Sequence, residues 1–161
     1  MVQLDSIDRA ILVELQRDSR QTYAEIGTRV GLSAATVHNR VKNLEKRQVI
    51  QGYGARVDPK AIGLEVVAFI SIRLEGGVNC RDIAPHLVNH PEVEECHAVA
   101  GDVDTLLKVR VPNPDALEQL IFEIKQIPGV RRTSSLVTLS TQFEHRALVP
   151  VEPDLERDGQ A

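Results

Sequence analysis

One stretch of the chain combines small residues with hydrogen-bonding side chains at helical spacing. The small or short polar residues come first, at Ser33, Ala34, Ala35 and Thr36. The donors and acceptors follow, at His38, Asn39, Arg40 and Lys42. A helix that enters the major groove needs small residues where its backbone approaches the bases, and hydrogen-bonding groups further along. The pattern therefore predicts contact with double-stranded DNA, with Lys46, Arg47 and Arg56 placed for phosphates.

The distribution of charge supports a polyanion as the partner. The net charge is −4, yet residues 1–58 hold nine Lys and Arg against seven Asp and Glu, whereas residues 59–161 hold ten against sixteen. Between residues 29 and 56, six bases stand against the single acid Glu45. A basic face on an acidic protein is typical of a nucleic-acid-binding surface. The alternatives are a three-helix scaffold with a solvated charged face, and a helix-turn-helix that is used only for protein contacts.

The elements that must position these residues are three short helices. The apolar spacing predicts a first helix from Asp5, as N-cap, to about Arg17. A second helix over residues 23–30 ends at Gly31, where a left-handed residue is favoured. Ser33 caps a third helix, whose buried stripe is Val37, Val41 and Leu44. A short helix, a glycine turn and a polar-faced helix form the helix-turn-helix arrangement.

The second half of the chain has the pattern of an α+β domain. Strands and helices are predicted in the order βαββαβ, at residues 66–74, 81–89, 93–99, 106–111, 115–127 and 133–141. A weak repeat, His90-Pro91-Glu92-Val93 and Ile127-Pro128-Gly129-Val130, supports two similar halves. The expected fold is a ferredoxin-like antiparallel sheet with both helices on one face. Its other face, which contains Phe69, would be left in water, so a homo-oligomer with a dimer as the minimum is expected.

These elements divide the chain into four predicted parts. Residues 1–49 are the helix-turn-helix domain, and residues 50–64 are a ribbon and linker with a strand-like pattern from Val49 to Val57. Residues 65–142 form the effector-binding and oligomerisation domain. Residues 143–161 are a C-terminal extension that is acidic at its end and is expected to be a loose tail.

The chain resembles the Lrp/AsnC (leucine-responsive, feast/famine) family of bacterial and archaeal regulators over about residues 4–142. In the first half the matching residues are Leu4-Asp5, Asp8, Ile11-Leu12, Gly31-Leu32-Ser33, Val37, Arg40-Val41, Leu44-Glu45, Val49-Ile50, Gly52-Tyr53 and Asp58-Pro59. In the second half they are Gly101, Asp104, Leu107, Val109 and Pro128-Gly129-Val130. Gln48 departs from the family, which usually has Gly there, and a non-glycine residue is strained where the backbone is left-handed. The resemblance implies a winged helix-turn-helix transcription regulator that assembles as tetramers or octamers.

The resemblance also implies a small effector, an amino acid, at the turn Gly101–Thr105. On the residues alone, a tight β-turn is the stronger interpretation of this glycine- and aspartate-containing segment. An amino acid needs an anion or carbonyl for its ammonium, supplied by Asp104 or by turn carbonyls, with Asp102 as the alternative side chain. Its carboxylate needs donors such as the amides of Gly101 and Asp102. The remaining predicted effector-binding residues are Thr105 and the hydroxyl residues Thr133, Ser135 and Thr138.

Other chemistries are weakly supported by the sequence. His86 and His90 have a workable metal-ligand spacing, but with Cys80, Cys96 and His97 they form no complete ligand set, so neither metal nor cofactor is expected. No nucleophile–base pair or phosphate loop indicates catalysis. A different class of function remains open, namely a ferredoxin-like small-molecule-binding protein or enzyme whose N-terminal helices mediate assembly only.

The cellular compartment is inferred from the sequence, which shows neither a membrane-span pattern nor an export-signal pattern. No apolar run approaches the roughly 18 residues of a membrane span, and the N-terminus has no basic segment of an export signal. The two cysteines are too few and too far apart for a disulfide framework or a CxxC site. We therefore expect a cytoplasmic protein with reduced thiols and no membrane partner.

Overall fold

Local capping signals set the ends of the N-terminal helices. The computed structural model describes residues 3–151, and its first three helices are α1 (Ser6–Arg17), α2 (Tyr23–Val30) and α3 (Ala34–Lys46). The side chain of Asp5 accepts a hydrogen bond from the Asp8 N–H at 2.7 Å, which caps α1. Thr22 and Ser33 cap α2 and α3 in the same way. The three predicted helices are confirmed.

The turn between α2 and α3 depends on a close approach of backbone atoms. The N–H of Leu32 donates to the carbonyl of Gly27 at 2.9 Å, while Gly31 takes the left-handed conformation with φ of +74°. A Cβ atom on Gly27 would lie 2.4 Å from the Leu32 carbonyl oxygen. Only glycine therefore fits at position 27 without displacing the turn. The core beneath it is aliphatic, formed by Ile11, Leu15, Ile26, Val37, Val41 and Leu44.

The chain leaves α3 through a left-handed residue and does not form the predicted ribbon. Gln48 has φ of +57°, the conformation in which a non-glycine side chain is strained. The N–H groups of Val49 and Ile50 then donate to the Leu44 carbonyl at 2.9 and 3.3 Å. Within the described residues, no strand forms between Val49 and Val57, because no described segment lies alongside to pair with it. The prediction of a strand-like ribbon is therefore wrong for this chain by itself; the linker contains only a 3₁₀ turn, Lys60–Ile62.

The second half of the chain forms the predicted βαββαβ domain. Its elements are β1 (Val66–Leu74), α4 (Cys80–Leu87), β2 (Val93–Ala98), β3 (Thr105–Val111), α5 (Pro114–Lys125) and β4 (Val130–Val137). The sheet is antiparallel with strand order β2-β3-β1-β4. The last strand begins at Val130, three residues before its predicted start, because the chain is already extended after Gly129, whose φ is +88°.

The two faces of this sheet differ in their environment. Ala68, Ile70 and Ile72 alternate along β1 and are fully buried in the core with residues of α4 and α5. On the opposite face, Phe69 is 36% exposed and Leu136, its register partner on β4, is 67% exposed. Among residues 3–151, no element covers these two side chains. The predicted one-sided domain is confirmed.

The chain divides into two compact units, and the C-terminal extension belongs to the first. The first unit consists of residues up to Ala55 together with the chain from Phe143 onward, and the second unit is Arg56–Gln142. The side-chain amide of Gln16 donates to the Leu148 carbonyl at 2.8 Å, and its oxygen accepts from the Leu148 N–H at 2.7 Å. The extension is thus held at Leu148 and is not loose there, while its last ten residues, 152–161, lie outside the described part.

Replacing Gly27 by alanine should destabilise the first unit. We expect Gly27→Ala to lower the free energy of unfolding by about 1–3 kcal/mol through overpacking, although Ala is the better helix former by about 1 kcal/mol. Gly52→Ala is the matched control, because a Cβ atom there meets nothing within 4 Å. Urea denaturation followed by circular dichroism measures both. Equal stability of the two variants would contradict the close approach at Gly27.

Candidate functional site

The outward face of α3 is polar and free of large side chains at its start. Ala35, Asn39, Lys42 and Lys46 are exposed and lie opposite the buried stripe that begins at Val37. Ala34 and His38 are also exposed on the helix. This face offers small side chains near the N-terminus, then an amide, then two ammonium groups. The order matches the needs of a helix that enters the major groove.

The predicted residues at the start of α3 include two hydroxyls that are already engaged. Ser33 Oγ accepts a hydrogen bond from the Thr36 N–H at 3.2 Å, and the two hydroxyl oxygens lie 2.8 Å apart. Their first role is therefore to cap the helix and to fix where it begins. Ala34 and Ala35 then present only methyl groups, which leave the backbone accessible.

Two further predicted residues of α3 are oriented by neighbours in the first unit. The His38 ring stacks on Tyr23, with ring centroids 5.3 Å apart. Lys42 Nζ lies 3.4 Å from the Glu45 carboxylate, which also accepts from the Tyr53 hydroxyl at 3.0 Å. Partial burial, and then the bond to Glu45, raises the pKa of Tyr53 to about 12, so its hydroxyl remains a donor at neutral pH. The tyrosine thereby ties the segment after α3 back to the helix.

Arg40 faces α1 and forms an internal ion pair. Its Nη1 lies 2.7 Å from both the Asp5 and the Asp8 carboxylates. The Asp8 side chain is only 10% exposed, so its charge requires this partner. The Asp8 N–H, and then the Arg40 guanidinium, hold the pKa of Asp5 below its ordinary value of 3.8. The geometry therefore supports a role for Arg40 in holding α1 against α3, which differs from the DNA contact that the sequence suggested.

The remaining basic residues differ in whether their side chains already pair with another group of the protein. Arg47 donates to the carbonyl of Gln3, and Arg29 pairs with Glu14 of α1. Lys46 is exposed and has no acidic partner within residues 3–151. Arg56, the last predicted phosphate contact, begins the second unit. The basic surface of the first unit is thus smaller than the count of bases indicates.

A polar groove of about 760 Å³ runs between the start of α1 and α3. Thr36, Asn39 and Asn43 line it from α3, together with the Arg40 ion pair. Asn43 was not among the residues predicted from the sequence to contact DNA. Its position four residues after Asn39 places it on the same side of the helix, and that spacing was the signal that could have identified it.

In the second unit, Asp104 is hydrogen-bonded to the backbone of β1. Asp104 Oδ2 accepts from the Leu74 N–H at 2.7 Å, and the Asp104 N–H donates to the Ile72 carbonyl at 3.0 Å. The register of β1 against β4 shifts between Arg73 and Leu74, and the carboxylate satisfies the Leu74 N–H at that irregularity. Asp104 therefore stabilises the strand end, although the sequence analysis favoured it as the ammonium partner.

The other predicted effector residues are dispersed by the fold. Thr105 is fully buried, and its hydroxyl has no hydrogen-bond partner. Ser135 lies opposite the buried Ile70, on the core side of the sheet, and the Thr138 N–H donates to the Val67 carbonyl at 2.9 Å. Gly101 has φ of +146°, which its turn requires. Burial keeps Thr105 from direct ligand contact in this conformation, which corrects the prediction for that side chain.

A small cavity of about 190 Å³ lies beside the turn. Its lining includes Asp102 and Thr133 from the predicted set. The lining residues that the sequence analysis missed are Ser71, Arg73, Val103, Arg132 and Ser134. Arg73 pairs directly with Arg132 across β1 and β4, and Arg73 donates to the Asp102 carbonyl. Two guanidinium groups and one carboxylate at one small cavity can bind the two charged ends of a zwitterion.

The described residues contain neither a metal-ligand cluster nor a membrane-spanning helix. Within residues 3–151, no three His, Cys, Asp or Glu side chains are grouped to hold a metal ion. In the same part of the chain, no helix has the length and apolar character needed to cross a membrane.

Family models match both units of the chain. The model of the AsnC-type helix-turn-helix domain matches residues 4–45, and that of the Lrp/AsnC ligand binding domain matches residues 67–148. The HTH-type transcriptional regulator LrpA of Mycobacterium tuberculosis is 41% identical over 147 residues, 91% of this chain and 97% of that protein. The leucine-responsive regulatory protein of Escherichia coli is 37% identical over 155 residues, 91% of each chain.

Solved structures agree with these matches. The feast or famine regulatory protein of M. tuberculosis complexed with L-methionine has a TM-score of 0.85 at 41% identity, covering 92% of this chain and all of that one. The L-methionine complex of a transcriptional regulator from Neisseria meningitidis has a TM-score of 0.85 at 29% identity, covering 91% and 96%. The structure of E. coli AsnC has the same score at 31% identity, covering 92% and 100%.

Removing the Arg40 side chain should cost stability. We expect Arg40→Ala to lower the free energy of unfolding by about 1–3 kcal/mol, because it leaves the Asp8 carboxylate without its cation. Lys42→Ala is the control and should change stability by less than about 0.5 kcal/mol, since its pair with Glu45 is exposed. Adding Asp8→Asn to Arg40→Ala should recover part of the loss. Urea denaturation of the four proteins tests this, and an unchanged Arg40→Ala would refute the internal role.

The same interaction should depend on pH. Because the pKa of Asp5 is lowered in the folded state, its stabilising effect is present above its ordinary value of 3.8 and is lost as pH falls through the lowered value. The stability difference between wild type and Arg40→Ala should therefore shrink as the pH falls below 3.8. A difference that stays constant on acidification past this ordinary value would contradict the Asp5 contribution.

Proposed function

The chain belongs to the Lrp/AsnC family of transcriptional regulators, and we propose that it recognises a specific DNA sequence through α3 and responds to an amino acid. Its relatives are regulators, so the chain is a regulator and not an enzyme. The alternative of an enzyme whose N-terminal helices only mediate assembly is set aside. The cytoplasmic location inferred from the sequence stays a prediction.

The observation that carries the DNA proposal is the outward face of α3. Asn39 is exposed at its centre, and an Asn side chain can accept from and donate to one adenine edge at once. Asn43 lies one turn further along on the same side. Ala35, one turn earlier, leaves room for the bases. We assign base contacts to these three positions.

The charged residues of α3 supply backbone contacts in this proposal. Lys46 is exposed and unpaired within the described residues, and Lys42 has only an exposed pair with Glu45. Such ammonium groups attract phosphates without selecting a sequence. Arg40 and Arg29 are excluded from this set, since both pair with acids of α1. Lys46 is therefore the best single test of electrostatic attraction.

The cavity beside the Gly101–Thr105 turn is the proposed effector site. Its volume of about 190 Å³ suits a molecule smaller than a typical drug-sized ligand. Arg73 and Arg132 are like charges side by side on neighbouring strands, and an effector carboxylate between them would relieve their repulsion. Asp102 is the proposed partner of the ammonium, because the Asp104 carboxylate already accepts from Leu74. The L-methionine complexes of two relatives support an amino acid as the class of ligand.

We propose that the outer face of the sheet joins copies of the chain. Phe69 and Leu136 pair across β1 and β4 on that face and remain exposed. An apolar patch of this kind is most simply covered by the same patch of a second copy. A dimer would also present two α3 helices to the two halves of a symmetric operator. Light scattering should then give at least twice the 17.8 kDa of one chain.

Substitutions on α3 should separate sequence readout from charge. On a duplex selected in vitro by the wild-type protein, Asn39→Ala should weaken binding by about 1–3 kcal/mol and relax specificity at one position. Lys46→Ala should weaken all sequences similarly and reduce the salt slope by about one. Fluorescence anisotropy at several salt concentrations measures both quantities.

The control for these variants is Arg20→Ala, which removes one positive charge from the loop between α1 and α2. It should leave sequence specificity unchanged. It should also weaken binding to the selected duplex less than Asn39→Ala does. If Asn39→Ala and Lys46→Ala both bind like wild type, α3 is not the DNA-reading helix.

The effector site is tested with the amino acid that most raises the melting temperature in a screen of all twenty. Arg132→Ala should weaken its binding about 10- to 100-fold, the range of charge-assisted hydrogen bonds. Asp102→Asn should weaken it as well. Arg131→Ala is the matched control, because Arg131 is exposed on β4 next to Arg132 but does not line the cavity. Calorimetry that finds equal affinity for the Arg132 and Arg131 variants would place the site elsewhere.

A further inference from the structure

Two cysteines that are distant in sequence lie side by side in the second unit. The Sγ atoms of Cys80 and Cys96 are 3.8 Å apart, although the residues are 16 positions apart, and both thiols are free. Cys80 is the first residue of α4, and Cys96 lies in β2. The spacing argued against a disulfide framework, but the packing of α4 on β2 brings the two sulfur atoms into contact.

The start of α4 fixes Cys80 firmly. The side chain of Asn79 accepts from the Arg81 N–H at 2.9 Å, and Asp82 accepts from the Asn79 N–H at 2.9 Å. These bonds form a capping box that defines the first turn of the helix. The capping box thereby fixes the backbone at Cys80, the first residue of the helix, and with it the position from which the Cys80 side chain reaches Cys96.

Cys96 has a different environment. Burial of its sulfur, and then the neighbouring Cys80 thiol, raises the pKa of Cys96 to about 11. Its thiol therefore stays protonated at neutral pH, and a protonated thiol is a poor nucleophile toward an oxidant. Cys96 is nevertheless exposed as a residue and Cys80 partly so, which allows a small reagent to reach the pair.

We propose that Cys80 and Cys96 form a dithiol modification site that hydroperoxides oxidise to an intramolecular disulfide. A disulfide bond is about 2.05 Å long, so the sulfur atoms must approach by a little less than 2 Å. Side-chain rotation of two cysteines supplies a movement of this size. The site is independent of the DNA and effector proposals.

The chemistry proceeds in two balanced steps. The Cys80 thiolate attacks one oxygen of hydrogen peroxide, the O–O bond breaks, and the departing hydroxide takes up a proton as water, which leaves a sulfenic acid on Cys80. The Cys96 sulfur then attacks the Cys80 sulfur, the S–O bond breaks, and the hydroxyl group leaves as water with the thiol proton of Cys96. The pair loses two electrons, and the peroxide is reduced to two molecules of water.

The bond would link two elements that otherwise touch only by packing. It would join the first turn of α4 to β2, the strand at one edge of the sheet. Beyond Cys96, β2 ends at Ala98 and the chain enters the Gly101–Thr105 turn. Oxidation would therefore restrain the segment that leads into this turn.

The test treats the full chain with hydrogen peroxide and follows its thiols. We expect loss of both free thiols per chain, a mass lower by two hydrogen atoms, and one peptide pair linked through Cys80 and Cys96. Dithiothreitol should restore both thiols. The reaction should be at least about tenfold faster in the folded protein than in urea, because folding holds the sulfur atoms together.

Two conservative variants separate the roles of the sulfur atoms. Cys96→Ser should stop at a Cys80 sulfenic acid that dimedone traps, and Cys80→Ser should consume peroxide about tenfold more slowly than Cys96→Ser. Circular dichroism of both variants checks that they are folded. Retention of both thiols, disulfide-linked dimers on a non-reducing gel, or equal rates in folded and unfolded protein would each overturn the proposal.

Discussion

An almost buried carboxylate needs a cation, and this requirement organises the DNA-binding unit. Asp8 is buried on the inner side of α1, and Arg40 of α3 reaches it and the helix cap Asp5 together. The ion pair fixes the rotation of α3 about its axis. With Arg40 turned toward α1 and Val37 toward the core, Asn39 must face outward. Which residues lie on the proposed recognition surface therefore depends on which basic residue the fold uses internally.

The helices of this unit were predictable because their signals are local. Caps such as Thr22 and Ser33, the left-handed Gly31 and the apolar spacing all lie within a few residues of the ends that they define. The partner of Arg40 was not predictable in this way. At the flank of a helix an arginine can extend outward to a ligand or sideways to a neighbour, and the choice depends on a carboxylate 32 positions away.

In the sheet, too, the features set by neighbouring residues were predictable, and those set by residues distant in sequence were not. The alternation in β1 placed Ile70 inside and Phe69 outside, and the repeated proline turns gave the order of elements. The register between strands was not accessible from the pattern. It decides that Arg73 lies against Arg132, that Asp104 meets the Leu74 N–H and that Thr105 is enclosed. Residue types alone therefore identified a turn that lies beside a cavity, but only two of the residues that line this cavity, Asp102 and Thr133.

The contact between Gln16 and Leu148 joins an early and a late segment of the chain in one unit. The side-chain amide of Gln16 donates one hydrogen bond to the Leu148 carbonyl and accepts one from the Leu148 N–H, as the backbone of a neighbouring strand would. During synthesis the ribosome releases α1 long before residue 148 exists, and domains generally fold as their chain emerges. The helices of the first unit are therefore translated before the sheet domain, whereas the segment around Leu148 that completes this unit is translated after it.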